Sequence, residues 1–168
     1  MLTVKLLLGV LFPIFAMLVV GLIILTISRI GLCIWKKDRV KKSNGLKAIL
    51  FSGLRMDVVT LCYFLSLPSL LTCLFTGVEQ ISSVWLTALQ IWFVAGLWLL
   101  VYMEVSTPSF IKEYDVRPNR FFVEYLIYPK EVFSMLWKGY KLELFLTSVI
   151  SLATLYFGWI FSAIIVSD

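Results

Sequence analysis

Residues 58–103 read VVTLCYFLSLPSLLTCLFTGVEQISSVWLTALQIWFVAGLWLLVYM, and Glu79 is the single charged residue in the run. A helix needs about 20 apolar residues to cross the hydrocarbon core of a bilayer. The run therefore divides into two spans, about 58–77 and 81–103, joined by the short turn Val78-Glu79-Gln80. So short a turn makes the two helices antiparallel neighbours. Pro68 falls inside the first of them and is expected to kink it, which a membrane helix tolerates when neighbours satisfy the freed backbone.

Two further apolar runs of the same length flank this hairpin, at about 6–28 (bounded by Lys5 and Arg29, with Pro13 inside) and about 144–166. None of the four cores contains Asp, Glu, Lys or Arg. The first run is too long for the 7–15-residue core of a signal peptide, and no A-x-A cleavage site follows it, so it is expected to be a retained span. The whole chain agrees: 61% of its residues are hydrophobic and 15% charged, where a soluble domain has about a quarter charged. The mean hydropathy is +0.97. The expected fold is all-α, a polytopic membrane bundle of four spans in one domain, 1–168, with lipid as the solvent for much of its surface.

The chain has no histidine, which removes the commonest general base and the commonest neutral metal ligand. Cys62 and Cys73 share a span and are held about 16 Å apart by helical rise, too far for a disulfide. Cys33, beside a membrane boundary, is read as an ordinary interfacial residue in preference to a lipidation site.

Two polar connections remain. The first, Arg29 to Arg55, carries the basic run Lys36-Lys37-Asp38-Arg39-Val40-Lys41-Lys42 and the turn signal Ser43-Asn44-Gly45. Beside a span, such a run reads as a topology signal or an anionic-lipid contact and not as a nucleic-acid patch. The second, 104–143, interleaves charges with aromatics, the composition of a membrane–water interface. Two short interfacial helices are expected there. Pro118 opens one, with Phe121, Phe122, Tyr125 and Leu126 in an apolar stripe. Pro129 opens the other, with Val132, Phe133, Leu136 and Trp137 in a stripe and Gly139 at its end. Lipid contact and simple capping of the bundle both fit these stripes. Arg117, Arg120 and Lys130 are the candidate head-group ligands, against the plainer reading that they are snorkelling flanks. Phe121, Phe122, Tyr125 and Trp137 are the candidate interfacial aromatics, with Phe121, Phe122 and Trp137 expected to lodge among acyl chains. In the last span, Thr147, Ser151, Thr154, Gly158 and Ser162 recur every three or four residues, a helix-packing seam in preference to a substrate path.

Residues 104–132 read EVSTPSFIKEYDVRPNRFFVEYLIYPKEV. With Trp137 and Tyr140 beyond it, this segment resembles the membrane region of the lipoteichoic acid synthase family, which includes phosphoglycerol transferases and sulfatase-like relatives. Leu54-Arg55-Met56-Asp57-Val58 is similar to the stretch that opens the family's second span. The resemblance runs from about Arg29 to Leu146. It implies about five membrane helices in the bacterial cytoplasmic (inner) membrane, followed by an extracytoplasmic domain of the alkaline-phosphatase superfamily. That domain would supply a threonine nucleophile and a divalent metal such as manganese, and would transfer a phosphoglycerol-type head group from a lipid. The present sequence stops at Asp168, before any of this. No catalytic residue and no metal or other cofactor site is therefore expected in it.

Orientation is read two ways. Every Lys and Arg except Lys5 falls in the two connections, so the positive-inside rule places both in the cytoplasm. The family arrangement places them outside, and it is preferred because a catalytic domain acting outside is a functional constraint. The leading expectation is a membrane-anchor domain that guides anionic phospholipid head groups to a catalytic domain. The alternative is a non-enzymatic scaffold or subunit of a larger membrane protein. A transporter is disfavoured, because the span cores offer only Gln90 and hydroxyls such as Thr72 and Thr87.

Overall fold

The computed structural model describes residues 2–43, 45–75, 79–115, 130, 134 and 137–167, with side chains at 11–42, 45–75, 84–115, 130, 134 and 137–166. Among these there is no strand. The elements are α1 (Leu2–Trp35), α2 (Lys37–Ser43), α3 (Leu46–Phe75), α4 (Glu79–Tyr114) and α5 (Lys141–Ser167). Four of the five are long and apolar enough to cross a membrane, which makes the chain an all-α, multi-pass membrane protein.

The helices outrun the spans read from hydropathy. α1 continues past Arg29 to Trp35, α3 begins eleven residues before Asp57, and α4 passes Glu104 and Pro108 to end at Tyr114. Charge ends the affinity of a segment for hydrocarbon. It does not end a helix, because Lys, Arg and Glu are good helix formers. The first eleven residues of the 104–143 connection are thus the last turns of α4. The basic run is also helical: α2 has Asp38 in its first turn and Lys41 and Lys42 in its last, the charge order that a helix dipole favours. Of the two expected interfacial helices, the first lies outside the described residues. In the second, Lys130, Ser134 and 137–139 are helical.

α4 packs most extensively on α5, and α1 on α3, with the pairs joined by α1 against α4. The core is Ile14, Met17, Leu65, Leu89, Phe93 and Leu97, with Phe64, Trp85 and Val166 against it. In lipid, burial of apolar side chains gives little drive for association, so close packing must hold the helices together. Two glycines permit that closeness. A Cβ on Gly21 would sit 2.8 Å from Leu61 Cδ2, and one on Gly96 would collide with the Phe64 ring. Phe64 in turn stacks on Trp92 with centroids 5.3 Å apart. At the other end of α3, Trp85 Nε1 donates to Thr72 Oγ1 at 3.1 Å, and Thr72 donates to the Pro68 carbonyl at 2.6 Å. The half-buried Trp85 N–H, which would be costly to leave unpaired in lipid, is thereby satisfied.

A charged cluster at one end of the bundle

The charged side chains that join the described helices gather at one end. Arg29 of α1 donates from Nη2 to Asp57 Oδ1 of α3 at 2.7 Å, with both side chains buried. Gly53, one turn before Asp57, makes the space: a Cβ there would overlap the Arg29 guanidinium. Gly53 and Asp57 together form a notch on α3 that receives Arg29. Asp57 Oδ2 is also buried and has no hydrogen-bond partner among the described residues. The neighbouring Ser28 hydroxyl donates to Glu104 Oε2 of α4. Arg29 and Ser28 therefore tie one turn of α1 to two different helices.

Further along the same helices, Arg39 of α2 grips Asp115 with both guanidinium nitrogens, one of them 2.8 Å from Oδ2. Asp115 ends α4 with φ of 58°, the left-handed turn that Asp tolerates better than most residues. The Arg39 hydrogen bond holds the Asp115 carboxyl below its ordinary range, opposed by some desolvation and aided by the charges of Arg39 and Lys36. Arg39 is raised for the same reason.

These contacts fix the depth of each residue. Ser28 to Glu104 and Arg39 to Asp115 both span 76 positions, so α1–α2 and α4 run parallel in one register, and Lys36 comes level with Lys112. The Tyr140 hydroxyl donates to Glu113 at 3.5 Å, which brings Lys141 to the same level. Lys36, Lys112 and Lys141 thus mark one layer, with Trp35 just beneath and Lys36 Nζ 4.2 Å over its ring. Arg29 and Glu104 lie roughly 10 Å deeper. Arg29, Asp57 and Glu104 all lie on helices long and apolar enough to cross a membrane. Ionisable groups at such a depth pair with one another and mark places of functional interest.

Of the residues singled out from sequence, Arg117, Arg120, Phe121, Phe122 and Tyr125 lie outside the described residues. Lys130 and Trp137 are exposed. On α5, Ser162 and Gly158 are buried, and Thr147, Ser151 and Thr154 are half-buried. A Cβ on Gly158 would lie 3.2 Å from Leu97 of α4, and Gln90 of α4 donates to the Trp159 carbonyl at 3.4 Å. Arg29, Asp57 and Glu104 stood in the sequence as span boundaries, with nothing to show that they meet. The one available signal was Gly53 four residues before Asp57 on a helical face. Among the described residues, no group of three or more His, Cys, Asp or Glu is placed to hold a metal ion. No protein-family model matches the chain, and no solved structure matches its fold.

Proposed function

We propose that this chain is the membrane domain of a lipid head-group transferase of the lipoteichoic acid synthase type, seated in a bacterial inner membrane. In this reading it anchors a catalytic domain and presents anionic phospholipid to it. The sequence resemblance of residues 104–132 supports the reading, and one structural observation carries it. The segment that holds Arg117, Arg120 and Lys130 leaves α4 after Tyr114 and re-enters at Tyr140, whose hydroxyl reaches Glu113. The two described ends of the segment, Glu113 and Tyr140, therefore lie together, and in this reading the segment between them lies where phosphate groups and acyl chains meet. Arg can bind a phosphate through two parallel hydrogen bonds, and aromatics lodge among the upper acyl carbons. The test is a lipid pull-down with phosphatidylglycerol, comparing the wild type with Arg117→Ala/Arg120→Ala. Reduced retention is expected; equal retention would sink the lipid-guiding role.

A second reading, a scaffold or subunit within a larger membrane assembly, is favoured by Tyr63. This residue lies well inside α3, about 18 Å from the nearer helix end, and is 79% exposed. A phenolic hydroxyl facing hydrocarbon without a partner is costly, and an adjoining helix with an acceptor would remove the cost. On this reading the chain purifies in mild detergent with another membrane protein at fixed stoichiometry, and Tyr63→Phe weakens the association. Recovery of the wild type as a lone monomer counts against it.

A further inference from the structure

We infer that α2 is an anionic-phospholipid docking element, separate from the Arg117–Lys130 segment and independent of the transferase reading. Arg39 is committed to Asp115 at the end of α4, and this fixes how α2 is turned. At about 100° per residue, Lys37 and Lys41 fall on one face of α2, nearly opposite Arg39. Both are exposed, so the pairing that holds Arg39 against α4 points these two lysines away from the bundle. Lys42 and, at the start of α3, Lys47 are exposed as well.

The occupant follows from the level and the charge. Trp35, with Lys36 over its ring, lies at the base of α2, so α2 begins where acyl chains give way to head groups. Beneath it, Ile34 (69% exposed) of α1 and Phe51 (77% exposed) and Leu54 of α3 present apolar surface. An anionic phospholipid offers a phosphate at the upper level and hydrocarbon at the lower, and matches both. A soluble acidic peptide would match only the first. Asp38 is the one acidic residue in 36–47, so the element keeps a strong net positive charge.

The test uses the full chain reconstituted in phosphatidylcholine bilayers with a small fraction of spin-labelled phosphatidylglycerol or spin-labelled phosphatidylcholine. The motionally restricted lipid at the protein surface is read by electron paramagnetic resonance. The wild type is expected to prefer phosphatidylglycerol at low salt and to lose most of that preference in concentrated salt. Lys37→Gln/Lys41→Gln should lower the selectivity roughly fivefold for each lysine neutralised. Lys37→Glu/Lys41→Glu should lower it further, while Arg117→Ala/Arg120→Ala leaves the α2 contribution in place. Unchanged selectivity in both lysine variants, each retaining wild-type helicity by circular dichroism, would overturn the proposal. So would a wild-type preference for phosphatidylglycerol no greater than for phosphatidylcholine.

Discussion

Arg29 and Asp57 lie in contact at 2.7 Å with side chains 7% and 10% exposed, on two antiparallel helices and below the layer of lysines that marks the membrane edge. A buried pair of this kind is worth little against a well-packed apolar pair, yet loss of one partner strands the other charge. Asp57→Ala and Arg29→Ala should each destabilise the bundle by about 3–5 kcal/mol, read as unfolding by sodium dodecyl sulfate in mixed micelles. Arg29→Leu/Asp57→Leu should recover most of that loss. A double variant as unstable as the sum of the single ones would show that the two residues act independently.

Gly53 should be as sensitive as the charges it accommodates. Gly53→Ala places a methyl group where the Arg29 guanidinium sits, so it should separate Arg29 from Asp57 and lower stability by a comparable amount. Gly31, on the neighbouring helix, has nothing within 4 Å of the place a Cβ would take. Gly31→Ala should be neutral or stabilising by up to about 1 kcal/mol from helix propensity. Equal effects from the two alanines, in the same unfolding assay, would remove the steric role of Gly53.

The Arg39–Asp115 contact should respond to acid. Asp115 has its pKa lowered in the folded chain, first by the Arg39 hydrogen bond. Its contribution is therefore fully present above the ordinary Asp value of about 3.9 and is lost as pH falls through the lower folded value. A spin-label pair on α2 and the end of α4, followed by distance measurement, should stay close at neutral pH and separate only in strong acid. Asp115→Asn keeps a residue that tolerates the left-handed turn but removes the charge, so it should separate the labels already at neutral pH. A distance that does not change with this substitution would show that other contacts hold α2.

At the opposite end, Thr72→Val removes the acceptor of the Trp85 N–H. Interhelical hydrogen bonds in membranes average about 0.6 kcal/mol, so a loss of that order is expected, with a change in Trp85 fluorescence. Wild-type stability with an altered spectrum would mean that Trp85 finds another acceptor.

Topology can be read directly. In a background with the three native cysteines replaced, Lys42→Cys and Glu113→Cys should label with a membrane-impermeant maleimide from the same side, because Arg39 and Asp115 meet. Labelling from outside supports the transferase-like arrangement, and labelling from inside supports the positive-inside order. Labelling from opposite sides would contradict the four-helix register itself.

The number of spans and their order were legible in the sequence because hydrocarbon imposes a one-dimensional rule. Each crossing must satisfy its own backbone and present about 20 apolar residues, and the runs around 6–28, 58–77, 81–103 and 144–166 do so one after another. Helical period alone puts the small residues of α5, from Thr147 to Ser162, on one face. The meeting of Arg29 with Asp57 and of Ser28 with Glu104 was not legible. Each of these residues sits at the edge of an apolar run, where a hydropathy profile sees a boundary and nothing more. Which boundary residues share a depth depends on how far each helix slides against its neighbours. Gly53, Gly21 and Gly96 set that slide through side chains supplied by other helices. Hydrophobicity along the chain determined that four of the described helices are long and apolar enough to cross a membrane. Packing between helices decided that Arg29 meets Asp57 and Ser28 meets Glu104, because how far each helix slides against its neighbours is set by side chains far apart in the sequence.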